Sequence, residues 1–376
     1  MLAESDFTLH PTNVNGGDVF GAIRAAELVA EVHARVVLLL YDFWMLHSHM
    51  RTLARLSDRA AIVAYVPIDG HIVDDRFLEP LSPVDRFVAY TRFGQAEIQA
   101  AQRRLLARGL PFSGAPVEAI PHGVDTAAFH PLSGSAVAQL APGGRRAVRE
   151  HLFPREPDWH DAFIVLNANR PTERKRIDLT IEAFANFARD KGPGVKLWLH
   201  HAIMNTEEHA LIRAQIHRLG LGGRVRLSEP GAPPLTDEAL NLVYNACDVG
   251  INTALGEGWG LISFEHAATG AAQVVPDNSA CGELWAGAAE VVPTHDIGVP
   301  RFTAVAMREV SVDGAAAALG RLYADPGYRR QMSLAAFRNA TQLRYGWDAI
   351  AARWRTLLAD VLAGHAARTP HAAVHA

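Results

Sequence analysis

The stretch Gly256-Glu257-Gly258-Trp259-Gly260-Leu261-Ile262-Ser263-Phe264-Glu265 sets two carboxylates eight positions apart. The first sits in a glycine-rich turn, the second on the helix that the turn opens. Upstream, Val249-Gly250-Ile251-Asn252 reads as a buried strand; downstream, Gly270 to Pro276 ends the helix and begins another strand, Gln273-Val274-Val275. A strand, a glycine turn and a helix N-terminus together make a place to hold an anion. Gly258 and Gly260 let a ligand approach the backbone. Glu257 beside that anion needs a different task, such as gripping the hydroxyls of a sugar. A merely connecting turn explains the glycines but not this carboxylate. Glu265, on the second helical turn, can reach the same crevice.

A second group of charges points the same way. Arg170 follows the strand ending near Asn167, and Lys175 comes five residues later, just before a helix. Both lie at the carboxyl end of a strand, where open α/β sheets bind ligands. The run Arg174-Lys175-Arg176 opposes the usual preference for acidic residues at a helix start. A solvated basic turn would account for the run alone. With a glycine-rich turn two βα units later, a bound polyanion accounts for both.

The elements that must position these residues read as parallel α/β. At 376 residues, two domains are expected. Hydrophobic content is 49%, charged content 20% and formal net charge −4, which gives no general reason to bind nucleic acid. The local basic clusters, Arg145-Arg146 among them, suit a small anionic ligand better than a polyanion. Two cysteines, Cys247 and Cys281, exclude a disulfide framework. No stretch approaches the ~20 apolar residues of a membrane span, and no secretory signal is visible. The expected location is cytoplasmic, with peripheral membrane contact left open.

Expected strands are Arg35 to Tyr41, Ala60 to Val66, Arg86 to Tyr90 and Val117 to Ile120, with a helix over Phe93 to Arg108. A Pro- and Gly-rich break around one short basic helix, Arg145 to Leu152, marks a linker. A second α/β run follows: strand Phe163 to Asn167, helix Ile177 to Arg189, strand Val195 to His200, helix Glu207 to Leu219, strand Val225 to Leu227 and helix Thr236 to Ala246. After Pro300 come helices over Val312 to Ala324, Pro326 to Thr341 and Trp347 to Leu362. The domain reading is 1–135 for an acceptor-side domain, 136–160 for the linker and 161–344 for a donor-binding domain. Residues 345–362 form a helix packing back on the first domain, and 363–376 a flexible tail.

Taken together, these residues resemble the GT-B glycosyltransferases, specifically the retaining glycosyltransferase family 4. That family carries E-G-x-G-L-x-x-x-E, matched by Glu257 to Glu265, and an arginine five residues before a lysine, matched by Arg170 and Lys175. An I-P-N-G-V-D segment followed by F-x-P is matched by Ile120 to Asp125 and by Phe129-His130-Pro131. Its Y-x-x-x-D-V is matched by Tyr244 to Val249, and its closing W-x-x-I-A by Trp347 to Ala351. The resemblance covers roughly residues 85–360, and the combination is specific although each piece alone is weak.

The resemblance implies two facing Rossmann-like α/β domains and transfer of a sugar, with retention, from a nucleotide diphosphate-sugar to a hydroxyl acceptor. The donor expected is a UDP- or GDP-sugar, the acceptor a glycan, a lipid or a small molecule, and no metal or other cofactor is required. No Asp-x-Asp metal motif occurs in the sequence. Arg170 and Lys175 would bind the diphosphate, aided by the amides of Gly258, Trp259, Gly260 and Leu261. Glu257 would contact the donor sugar and Glu265 the ribose, with the base near Leu227, Ser228 and Glu229.

The chain departs from the family most at its N-terminus. Asn15-Gly16-Gly17-Asp18 precedes a helix, Val19 to His33, but only Phe7 to His10 could be the strand before it, and too few strands follow. This implies an abbreviated first domain, or opening βα units that lie outside this chain. Acceptor-side candidates are Asp42, Asp69, His71 and Thr91, each near the carboxyl end of an expected strand. Asp69-Gly70-His71 stands where the family often has a histidine at the cleft, and a simple Asp-Gly turn is the competing explanation. Another GT-B activity, such as a sugar-nucleotide epimerase or phosphorylase, and a non-catalytic nucleotide-sugar-binding scaffold remain as alternatives. A dinucleotide dehydrogenase is disfavoured, because Gly256-x-Gly258-x-Gly260 lacks the G-x-G-x-x-G spacing.

Overall fold

Every residue of Ala61–Val66 and of Phe163–Asn167 is buried. Strands covered on both faces need continuous apolar runs, and that is the pattern of an all-parallel sheet flanked by helices. The computed structural model describes residues 7–14, 16–110, 112, 114–201, 206–301 and 303–368.

The first part runs α1 (Ala22–Glu31), β1 (Val36–Leu40), α2 (His47–Leu53), β2 (Ala61–Val66), β3 (His71–Ile72), β4 (Arg86–Ala89), α3 (Arg92–Ala107) and β5 (Val117–Ala119). Its four-stranded sheet has the order β1-β2-β4-β5, all parallel. No strand forms over Phe7 to His10, and Asn15 lies outside the described residues. Helix α1 starts three residues later than its periodicity implies. The Asp18 carboxylate accepts the amides of Ile23 and Arg24 at 3.0 and 2.9 Å, and so holds the first turn in place.

Residues 136–160 contain α4 (Ala136–Gln139) and α5 (Arg146–Leu152). Arg145 donates to the carbonyls of Asn245 and Gly270, each at 2.8 Å. Arg149 donates to the Ala246 carbonyl at 2.8 Å and to Asp248 at 2.7 Å. Both guanidiniums are buried. This segment is therefore pinned onto the second sheet, and Arg145 is spent on structure rather than on a ligand. Arg146 is exposed and pairs with Glu150 and Asp161.

The second part comprises β6 (Phe163–Asn167), α6 (Ile177–Ala188), β7 (Val195–Leu199), α7 (Thr206–Arg218), β8 (Val225–Leu227), α8 (Asp237–Ala246) and β9 (Val249–Ile251). It continues with α9 (Leu261–Ala268), β10 (Ala272–Pro276), α10 (Ser279–Leu284), β11 (Glu290–Val292), β12 (Thr294–Gly298), β13 (Val305–Val310), α11 (Val312–Ala324) and α12 (Pro326–Ala340). A six-stranded parallel sheet has the order β11-β10-β9-β6-β7-β8. Thr236 caps α8, its hydroxyl accepting the Ala239 amide at 3.3 Å.

Two features tie the halves together. The final helix, α13 (Trp347–Arg368), lays Ile350, Leu357 and Val361 on the first sheet against Ala61, Val63, Tyr65 and Val88. It runs six residues past Leu362, where His365 bonds the Ser57 carbonyl at 2.8 Å, so residues 363–368 are helix rather than tail. Residues 369–376 lie outside the described residues. In addition, β3 of the first part pairs antiparallel with β13 of the second, in a three-stranded sheet β12-β13-β3. Among the described residues no helix is long and apolar enough to cross a membrane.

Candidate functional site

The loop after β6 and the turn after β9 are fastened to one another by a chain of buried polar side chains. Asn167 donates to Thr180 at 2.8 Å, and the Thr180 and Thr253 hydroxyls bond at 2.7 Å. The Thr253 hydroxyl also donates to the Arg176 carbonyl at 2.8 Å, and the Leu255 amide to the Arg174 carbonyl at 2.8 Å. This framework sets Lys175 and Arg174 directly on Glu257.

Glu257 is 4% exposed. Its Oε1 accepts from Lys175 Nζ and, at 3.0 Å, from Asn252; its Oε2 accepts from Arg174 at 3.1 Å. Its amide donates to Ser279 Oγ at 3.0 Å, so backbone and side chain are both fixed. Burial by itself would push this carboxyl up, but Lys175 and Arg174 outweigh it and hold the group down to about 2. Lys175 also donates to Asn169 at 3.1 Å. Burial pushes its ammonium down, and Glu257 opposes that shift.

The turn meets the first domain closely. A Cβ on Gly256 would lie 1.7 Å from the Asp69 carbonyl oxygen, and one on Gly258 2.5 Å from Pro67 Cβ. In this structure these two glycines therefore admit the facing loop, whereas Gly260, at φ 91°, is needed for its own backbone conformation at the start of α9. Gly256→Ala should wedge the domains apart and cost about 1–3 kcal/mol of stability by overpacking. A lower melting temperature together with faster proteolysis between the domains would register it; an unchanged profile would contradict the close approach.

Arg174 bridges the boundary. Besides Glu257 and the Gly256 carbonyl, it faces Asp69 at 3.4 Å. Asp69 is buried and pushed up to about 6, chiefly by that burial, with Arg174 pulling the other way. Burial also raises Asp42, again opposed by Arg174. Asp69 and Glu257 thus converge on one guanidinium, whose charge Asp42 also feels.

Other expected site residues stand outside this ion-pair network. Arg170 is exposed and makes no side-chain hydrogen bond or ion pair among the described residues, whereas Arg174 is the arginine bonded to Glu257. Trp259 is buried in the core, stacked on Phe264 with ring centroids 4.6 Å apart and edge-on to Tyr345 at 5.2 Å. Thr91 is the N-cap of α3, accepting the Gly94 amide at 3.1 Å. His71, on β3, points outward and bonds Glu97 at 2.9 Å. Leu261 is 39% exposed at the start of α9. Leu227 is half-buried at the end of β8, Ser228 accepts the His201 amide at 3.1 Å, and Glu229 is exposed.

Glu265 accepts the Tyr244 hydroxyl at 2.9 Å. Burial raises this carboxyl to about 7, the Tyr244 bond opposing the rise and Asp237 adding to it. Asn169, Asn252 and Ser279 complete the site beside Arg174 without having been singled out by sequence. Arg174 stood within the basic run, but nothing local distinguished it from its neighbours. Among the described residues no group of three His, Cys, Asp or Glu side chains could hold a metal ion.

No protein-family model matches the chain. A curated relative, D-inositol 3-phosphate glycosyltransferase of Kineococcus radiotolerans, is 26% identical over 328 residues, which is 83% of this chain and 65% of the relative. The chain thus spans about two thirds of the relative's length. Among solved structures, sucrose-phosphate synthase from Thermosynechococcus elongatus superposes with a TM-score of 0.67 at 18% identity, over 96% of this chain and 82% of that one. Anabaena HepE, solved with UDP and glucose, gives 0.63 at 17%, over 89% and 81%. Trehalose 6-phosphate synthase from Burkholderia multivorans gives 0.65 at 16%, over 93% and 74%. With its two Rossmann-like sheets, its crossing final helix and these neighbours, the chain has the GT-B fold of the nucleotide-sugar glycosyltransferases.

Proposed function

We propose that this protein is a retaining glycosyltransferase that moves a sugar from a nucleotide diphosphate-sugar to a hydroxyl acceptor without a metal ion. The observation that carries the reading is the convergence of Lys175 and Arg174 on Glu257 beside the start of α9. In this reading the donor diphosphate takes the place of part of that ion-pair network, drawing on Lys175, Arg174 and the exposed Arg170 of the same loop. Glu257, fixed and ionised, then accepts the donor sugar's hydroxyls, and Glu265 the ribose hydroxyls. As the anomeric C–O bond breaks, its electron pair leaves on the diphosphate, whose growing charge these three cations stabilise. The acceptor oxygen forms the new bond on the same face and its proton passes to the departing phosphate oxygen, which retains configuration.

Support for UDP as the first nucleotide to try comes from HepE, solved with UDP and with UDP-glucose. The curated relative is named for D-inositol 3-phosphate, which supports a polyol acceptor. The test is a thermal-shift screen of UDP, GDP, ADP and TDP, followed by incubation with the matching nucleotide sugars. Binding of N but not U raises stability as RT ln(1 + [L]/Kd), so one nucleotide should stand out. Release of free nucleotide diphosphate with a new glycoside is the expected result. Sugar phosphate formation would mean a phosphorylase, and tight binding without turnover a scaffold.

A further inference from the structure

Helix α2 and the turn after β3 line a cavity of about 450 Å³ in the first domain, through His47, Met50, Arg51, Arg76, Phe77 and Pro80. None of the residues proposed for sugar transfer is among them. The size falls within the range of small-molecule sites, roughly 300–1,000 Å³. Both walls are fixed. On α2, Thr52 donates to the Ala22 carbonyl at 2.7 Å, and His49 Nε2 bonds the Phe20 carbonyl at 3.0 Å. On the other wall, Arg104 donates to Asp75 and to the Ile72 carbonyl, each at 2.7 Å, and so holds the turn that bears Arg76 and Phe77. Met50 is buried in the first domain's core and Phe77 packs against that core. The apolar floor is therefore part of the domain's packing rather than a loose gap.

The polar part of the lining has one sign. His47, Arg51 and Arg76 are all bases, and no carboxylate stands among the lining residues. Arg51 makes no side-chain hydrogen bond or ion pair among the described residues. A cation in the last turn of α2 complements the helix dipole, which explains its charge but not its place at an apolar cavity. Arg76 gives Nε and Nη2 to Asp74 at 2.9 and 2.6 Å, which leaves Nη1. His47 Nδ1 meets the Trp44 carbonyl at 2.8 Å. A carbonyl only accepts, so Nδ1 carries the proton and Nε2 is the nitrogen left for a ligand. An anion on an apolar stem complements both the bases and the floor. A phosphate monoester offers three terminal oxygens, one for each base, where a carboxylate offers two.

We propose that this cavity binds a free phosphate monoester with a single short apolar stem, at a site separate from that of the nucleotide sugar. Arg51 and Arg76 hold the phosphate with His47 beside them, and the stem lies on Met50, Phe77 and Pro80. No covalent bond forms or breaks. The volume takes one short chain, not the pair that a diacyl membrane lipid carries. The inference draws on none of the donor residues and stands independently of the transferase reading.

The test is titration calorimetry on the full chain with ethyl, butyl and hexyl phosphate, and with inorganic phosphate and 1-hexanol as controls. Affinity should rise about twofold to fourfold with each added methylene, the gain expected for burying a CH₂ group. Inorganic phosphate and 1-hexanol should each bind about tenfold or more weakly than hexyl phosphate. Arg51→Ala should lower hexyl phosphate affinity by about tenfold or more, the loss of one hydrogen bond to a charged group. Because Arg51 is exposed and unpaired, the same variant should keep its melting temperature and its UDP affinity. Saturating UDP should leave the hexyl phosphate isotherm unchanged. A flat series, equal binding of 1-hexanol, an unaltered isotherm in Arg51→Ala, or displacement by UDP each overturns the proposal. So does association with vesicles of phosphatidic acid in phosphatidylcholine without binding of monomeric hexyl phosphate. The chain-length series is read on wild type and so does not depend on the variant's folding. Failure of UDP to bind would sink the donor reading and leave this one standing.

Discussion

Alanine in place of Lys175 should lower turnover by on the order of 10²–10³, the usual cost of losing one preorganised charge aimed at the leaving group. The same change should also destabilise the fold, because Glu257 is buried and Lys175 is its first partner. Removing one member of a buried pair commonly costs about 3–5 kcal/mol, and Arg174 and Asn252, which remain, should keep the loss toward the lower end. The two effects separate in a double-mutant cycle. Glu257→Gln on the Lys175→Ala background removes the stranded charge, so stability should recover while turnover should not. Recovery of both would mean that the first loss was one of folding. Acid provides a second check. The Glu257 pKa is depressed in the fold, so its contribution is present above the ordinary value of 4.5 and lost as pH falls from there towards about 2. Lys175→Ala should flatten that acid limb, which unfolding midpoints between pH 5 and 2.5 would read.

Much of this architecture was legible because the parallel strands are continuous apolar runs. Phe163–Asn167 and Val225–Leu227 form with the bounds that the runs suggest, and Thr236 caps its helix through the hydroxyl. What escaped was decided by contacts between the halves. Strand β3 is two residues long and β12 is mostly exposed, so neither carries an apolar pattern of its own; they exist because β13 supplies a partner. The same holds within the site. Spacing alone could not tell whether Arg170 or Arg174 turns inward, since a single 3-10 turn, Glu173–Lys175, decides it. The resemblance assigns only the amide of Trp259 to a donor; where its ring packs, against Phe264 and Tyr345, is set by residues that the local sequence does not mark. His71 faces outward because β3 alternates and Ile72 takes the core side. Asp69 gained its importance from Arg174, more than a hundred residues away in sequence.

Glu265→Gln should stabilise the protein at pH 8 while weakening nucleotide binding, a pairing of effects that a residue kept only for the fold would not show. The carboxyl is largely buried, and its pKa is raised to about 7 chiefly by that burial. The sign follows from linkage. A raised folded-state pKa means that the group favours the fold below its ordinary value of 4.5, and that this advantage is lost as pH rises through about 7. At pH 8 the wild type therefore carries an ionised carboxylate in a poor environment. Glutamine keeps the shape and can still accept the Tyr244 hydroxyl, so the variant should gain about 1–3 kcal/mol at pH 8 and almost nothing below about pH 4. Affinity should move the other way. Under the proposed function the carboxylate accepts the ribose hydroxyls, and replacing it should cost about tenfold or more in UDP affinity at pH 8. Wild-type affinity should rise between pH 6 and 8 as Glu265 ionises, and that rise should vanish in the variant. Titration calorimetry and melting curves on both proteins across this range decide the matter. A variant that lost stability and affinity together would make Glu265 a partner of Tyr244 and nothing more; a stabilised variant that no longer held the nucleotide would show that the fold bears a buried charge for the sake of its ligand.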